Sequence, residues 1–173
     1  HRSKNRRHPA ARYVLDAHVK RSRPRNGESR RWRRVHYGSS RKRRVNTTVG
    51  QAGEYLTAGL LIDLGLQVMV SPTDGCDLLA YDANRYWRVE VKTSSKTVTY
   101  KRSFYRFHVA RGSRNKRKVT SETCDIVALC ALPLRRTIFQ HVDQVKVLNL
   151  RVLADEFVEG CERETWEVAT AWT

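Results

Sequence analysis

Long apolar runs are missing from this 173-residue chain. No stretch approaches the ~20 apolar residues a membrane-spanning helix needs, so a span is excluded. A signal-peptide pattern is absent as well. The four cysteines, Cys76, Cys124, Cys130 and Cys161, form no C-x-x-C pair, and the six histidines supply no partner at zinc spacing. Each cysteine lies in or near an apolar run, which points to reduced, buried thiols in a cytoplasmic protein. Internal repeats are absent. Acid is scarce at one end: residues 1–46 hold only Asp16 and Glu28 against 17 Lys and Arg. With His1 first, the native start is expected upstream or removed by processing.

That imbalance carries most of the net charge of +17, because residues 47–173 hold 17 basic side chains against 15 acids. The basicity is therefore largely an arm on a nearly balanced domain. Inside the domain, residues 85–118 carry 12 basic side chains and one acid, Glu90, while residues 119–173 carry five against nine. A basic arm beside a basic middle suits a polyphosphate partner. The bland alternative is a solubilising tail. The arm has too little apolar surface to offset its ordering entropy, so residues 1–46 are expected to be disordered and residues 47–173 to form the domain. Trp32 and Tyr37 lie among arginines, where aromatics can stack on bases while the charges track phosphates.

The domain opens with a capping box, Thr48 as N-cap and Gln51 at N3. A helix is predicted from there to about Leu64, with Gly65 at C′. Leu56, Leu60 and Leu64 make its apolar stripe, widened by Leu61 and Ile62. Glu54 lies about 200° round the helix from Leu56, off that stripe. Gln67 to Val70 reads as a strand, and residues 71–75 as a loop. Two short runs, Asp77 to Asp82 and Trp87 to Lys92, flank a turn at Ala83 to Tyr86 and read as a hairpin. Alternation puts Trp87, Val89 and Val91 on one face and Arg88, Glu90 and Lys92 on the other. Phe104 to Val109 is a further strand, and Arg111 to Lys118 a charged surface loop. Asp125 to Leu132 reads as a strand buried on both faces, followed by a strand from Thr137 to Val142. Asn149 can cap a helix through Leu150, Leu153, Ala154 and Phe157 that ends at Gly160, while Glu162 to Trp172 is ambiguous. Helix, strands and a last helix make an α/β domain with a central mixed sheet flanked by helices.

Glu90 and Lys92 stand about 6.6 Å apart along one strand face. If the first hairpin strand pairs beside the second, Asp77 can converge with Glu90 on one divalent cation. Such a set, with a nearby Glu54 and Lys92, suits metal-dependent phosphodiester hydrolysis. A solvated strand face would produce the same Val-Glu-Val-Lys string. The order, however, is more specific: Gly53-Glu54 on a helix, then Gly75-Cys76-Asp77, then Val89-Glu90-Val91-Lys92-Thr93-Ser94. This order resembles the PD-(D/E)XK nuclease superfamily over about residues 47–142. The branch it resembles is that of phage and intron-associated homing endonucleases, with Holliday-junction resolvases as neighbours. The resemblance implies a restriction-endonuclease-like core and a Mg2+-dependent DNA endonuclease, with Mn2+ able to replace Mg2+. It implies Asp77 and Glu90 as metal ligands, Glu54 as the helix glutamate supporting the metal, and Lys92 as the catalytic lysine. Cys76 stands where the motif's name has Pro. Thr93 and Ser94 would touch phosphate or support Lys92.

DNA is the expected partner, held through Lys96, Lys101, Arg102, Arg106, Arg111, Arg114, Lys116, Arg117 and Lys118. A homodimer or homotetramer follows by analogy, since a duplex break needs two cuts. A branched-DNA resolvase keeps the chemistry and changes the substrate. A non-catalytic nucleic-acid-binding protein explains the charge but leaves the order of Asp77, Glu90 and Lys92 as an accident.

Overall fold

The computed structural model describes residues 38–71, 75–112 and 116–172, with side chains from Thr47 onward. Trp32, Tyr37 and most of the basic arm lie outside the described residues. Helix α1 runs Gly38–Asp63. It begins well before Thr48, so the expected capping box lies inside the helix, and residues 38–46 form its first turns. The stretch holds no proline and several Arg and Lys, good helix formers that let an established helix extend backwards. The other end closes as the sequence indicates. Gly65 takes φ +95°, its N–H donates to Ile62 O at 2.9 Å, and Leu66 N–H donates to Leu61 O at 3.1 Å. Those two bonds satisfy the last carbonyls in a Schellman pattern.

Five strands form the main sheet in the order β1-β2-β3-β8-β9. They are β1 Gln67–Val70, β2 Leu78–Tyr81, β3 Tyr86–Ser94, β8 Ile126–Ala131 and β9 Arg136–His141. Only the β3–β8 pair is parallel, so the sheet is mixed. A second sheet, order β10-β5-β4, contains β4 Thr97–Thr99, β5 Ser103–His108 and β10 Asn149–Leu153. A short ribbon pairs β6 Ala110–Arg111 with β7 Arg117–Lys118. Helix α2 spans Cys161–Thr170 and follows Gly160, whose φ of +85° favours glycine.

Two apolar layers sandwich the main sheet. Helices α1 and α2 cover one face through Leu61, Trp166 and Ala169, which meet Leu78, Trp87, Val89, Val91, Ile126 and Ala128. The second sheet covers the other face through Tyr105, Phe107 and Val152, which meet Val127, Leu129 and Ile138. All of β8 is buried, as its unbroken apolar run requires at the centre of the sheet.

Two segments differ from the sequence reading. Residues 149–153 are strand β10 rather than a capped helix: Leu150 pairs with Phe107 and Val152 with Tyr105. The helical spacing of Leu150, Leu153, Ala154 and Phe157 loses to this long-range pairing, in which Val152 fills the core. Residues 111–118, read as a loop, contribute β6 and β7, with residues 113–115 outside the described residues. The hairpin turn also moves by one: Tyr81 pairs with Tyr86, so the loop is Asp82 to Arg85. Asp82 holds it, accepting from Asn84 N and Arg85 N at 3.0 Å each and from Trp87 Nε1 at 2.7 Å.

Arg88 and Asp125 lock the start of the parallel pair. Asp125 accepts from Arg88 N at 2.8 Å, Arg88 Nε at 3.2 Å and Arg88 Nη2 at 2.8 Å. The same guanidinium donates to Glu122 O at 2.7 Å and Ser121 O at 2.6 Å. Burial works to raise the Asp125 pKa, but the bonds from Arg88 outweigh it and hold it below the ordinary carboxylate value of 3.8. The carboxylate therefore adds stability above that value and loses it as pH falls. Asp125→Ala is expected to cost about 2–3 kcal/mol, because several charge-assisted bonds vanish together. Urea denaturation at pH 7 reads this as a lower midpoint with an unchanged slope.

Candidate active site

The site forms where α1 crosses β3. Gly53 makes the crossing close: a Cβ built there would collide with the Thr93 side chain. The residues on either side of this contact are Glu54 and Lys92, so one close approach of helix to strand places both. Thr93 Oγ1 is buried there without a hydrogen-bond partner. Ser94 Oγ donates to Lys96 O at 3.3 Å. The Thr93 hydroxyl is not presented to solvent, so a phosphate contact from Thr93 has no support in the geometry.

Asp77 enters through an irregularity in the β2–β3 ladder. Leu78 pairs with Val89, yet Asp77 N–H also donates to Val89 O, at 3.0 Å. Asp77 thus stays bonded to β3 one residue before β2 begins. The Asp77 carboxylate then takes the place of a backbone acceptor: its Oδ2 accepts from Val91 N at 2.7 Å. The hairpin and this offset bring it beside Glu90. Burial first, then the Glu90 charge and that of Glu54, push the Asp77 pKa up from 3.8 to about 6, against the lowering pull of the Val91 N–H and Lys92.

Glu90 is 5% exposed and points to the face covered by the second sheet, level with Val127. A buried carboxylate needs counter-charge. Lys92 Nζ donates to Glu90 Oε1 at 2.6 Å, and Arg111 Nε lies 3.9 Å from Glu90 Oε2. Glu54, half-buried on α1, has its pKa raised by burial and then by Glu90, against a lowering pull from Lys92. All four residues singled out in the sequence therefore feel one another's charge.

Asp77 and Glu90 are hard oxygen donors, partly desolvated and mutually repelling, an arrangement that a divalent cation relieves. Among the described residues, no three Asp, Glu, His or Cys side chains group closely enough to hold a metal by themselves. Two carboxylates completed by water suit Mg2+, which keeps several waters.

The remaining basic residues divide. Lys96, Lys101, Arg106, Lys116, Arg117 and Lys118 are exposed. Arg102 is exposed and pairs with Asp155 at 2.6 Å. Arg114 lies outside the described residues. Arg111, expected on a surface loop, instead reaches the carboxylate site. Arg151 escaped the sequence reading because its segment read as helix. In β10 it stands directly across from Arg106, on the exposed face of the second sheet. Its guanidinium lies 5.4 Å from the centre of the Phe104 ring. Two arginines facing each other across a ladder repel, and they give this face concentrated positive charge. No helix among the described residues is long and apolar enough to cross a membrane.

No protein-family model matches this chain, and no curated protein matches its sequence. A solved structure does match: the bacterial homing endonuclease I-Ssp6803I, with a TM-score of 0.56 and 16% identity. The likeness covers 70% of this chain and 90% of that one. At this identity the two chains are similar in fold.

Proposed function

We propose that this chain is a Mg2+-dependent DNA endonuclease of the PD-(D/E)XK type. The observation that carries the reading is the meeting of Asp77, Glu90 and Lys92 on one hairpin, with Glu54 brought in from α1. Asp77 and Glu90 would hold the cation, which when bound supplies Lewis-acid charge at the phosphoryl oxygen and lowers the pKa of water. Lys92, held by Glu90, is placed to orient the attacking water or to offset charge developing on phosphorus. The likeness of fold to a bacterial homing endonuclease supports DNA as the substrate. A duplex break needs two cuts, so the working form is a homodimer or homotetramer.

The deciding experiment is digestion of linear duplex, four-way junction and single-stranded DNA in Mg2+, with Lys92→Ala alongside. Wild type is expected to cut duplex and Lys92→Ala to leave it intact. Preference for the junction would make the protein a resolvase. Binding with no cutting of any substrate would leave a non-catalytic nucleic-acid-binding protein.

Affinity for DNA is expected to be strongly salt-dependent. The exposed Lys96, Lys101, Arg106, Lys116, Arg117, Lys118 and Arg151 offer several phosphate contacts. Displaced counterions then lower affinity by about 10³-fold between about 50 and 200 mM salt. Gel-shift titrations without divalent cation measure the slope. A flat response would remove these side chains from the interface.

A further inference from the structure

We propose that Arg111 contacts the scissile phosphate, and that the β6–β7 ribbon delivers it there. This rests on the nuclease reading above. Arg111 reaches Glu90 Oε2 at 3.9 Å while its side chain stays 25% exposed, so it touches both the carboxylate site and solvent. Lys92 occupies the other oxygen of the same carboxylate at 2.6 Å. Two cations therefore bracket Glu90, one from the strand that bears it and one from a separate element.

The ribbon is built to hold that position. Its two strands leave the core at Val109 and Val119, exposed by 0% and 1%. Val109 N–H is tied to Leu148 O at 2.8 Å, and Ala110 is buried. Across the ribbon Arg111 pairs with Arg117. Residues directly opposite in an antiparallel pair project to the same face, about 5 Å apart at Cβ. Arg117 is exposed, so the face that ends on Glu90 continues outward as a second guanidinium. A nucleic-acid backbone lying along that face meets Arg117 first and Arg111 at the carboxylates.

The chemistry gives a group of this kind something to do beside the cation and Lys92. A phosphodiester brings a negative charge towards Asp77, Glu90 and Glu54, and the charge on its oxygens grows as water adds. Lys92 is a compact single charge. Arg111 is a planar fork of five N–H donors that can address a carboxylate and a phosphate together. Simple charge balance for Glu90 is the competing account, and it predicts no contact with DNA.

Arg111→Ala, Arg111→Lys and wild type separate the two accounts. Single-turnover cleavage at saturating enzyme is expected to fall about 10²–10³-fold in Arg111→Ala. DNA affinity without divalent cation is expected to lose about one unit of salt slope, as for one phosphate contact removed. Arg111→Lys is expected to restore the slope and only part of the rate, since an ammonium cannot make the bidentate contact. Thermal melting of each variant confirms that it is folded. A wild-type rate in Arg111→Ala would overturn the proposal. So would a lost rate with an unchanged slope, because Arg111 would then act only through Glu90. A wild type inert on every substrate is a different result, and it defeats the nuclease reading itself.

Discussion

Glu90→Gln is expected to lower Mg2+-dependent cleavage by on the order of 10³-fold while leaving duplex affinity within about threefold. The substitution keeps volume and shape but replaces a charged acceptor with a neutral amide. Lys92 then loses the anion that positions it at 2.6 Å, and Asp77 loses its partner carboxylate. Lys92→Ala is expected to reach the same level by a different route, with both carboxylates intact. The double variant is expected to lose little more than either single one, because groups acting as a unit are far from additive. Single-turnover rates measured beside gel shifts make the comparison. Cutting at wild-type rate by both single variants would refute the site, whatever the fold.

Asp77→Asn is expected to abolish cleavage and stabilise the protein. The native carboxyl titrates near 6, against 3.8 for the ordinary group, because burial disfavours its charge and Glu90 and Glu54 repel it. The folded state therefore binds more protons than the unfolded state between these values. Stability falls as pH rises from about 4 to about 6 and stays reduced above. Asparagine keeps an oxygen for Val91 N and carries no charge, so it escapes the loss. Discounted for partial exposure, the gain at pH 7.5 is about 1–2 kcal/mol, a Tm increase of a few degrees. Wild type and variant converge near pH 4. Mg2+ is expected to raise the wild-type Tm and leave the variant's unchanged, because binding to the native state alone stabilises it. A variant less stable than wild type at pH 7.5 would contradict the electrostatic account of Asp77.

The hairpin was legible because two independent signals agreed. Alternation set the faces of Trp87 to Lys92, so Glu90 and Lys92 share the face the sequence assigns, and the polar turn located the hairpin to within one residue of its observed loop. Strand β8 was legible from its unbroken apolar run. What failed was local pattern without long-range context. The spacing from Leu150 to Phe157 matches a helix, but Phe107 and Tyr105 claim the segment as a strand. Thr48 to Gln51 has the composition of a cap, but nothing in it forbids an upstream helix. The placement of Asp77 left no composition signal, since it rests on a hydrogen bond to Val89. Arg111 was visible as charge and invisible as geometry. Only the anchoring of the ribbon by Val109 and Val119 turns it towards Glu90.

The missing methyl group at Gly53 fixes the distance between α1 and β3, with Thr93 as the other half of the contact. Side chains at these two positions can therefore grow only at each other's expense: a larger residue at 53 demands a smaller one at 93. Because Glu54 and Lys92 flank the pair, a lone enlargement at either place would displace an acid and an amine in one movement. Enlargement at this crossing is confined to matched exchanges, and the machinery beside it inherits that constraint without supplying any of the contact.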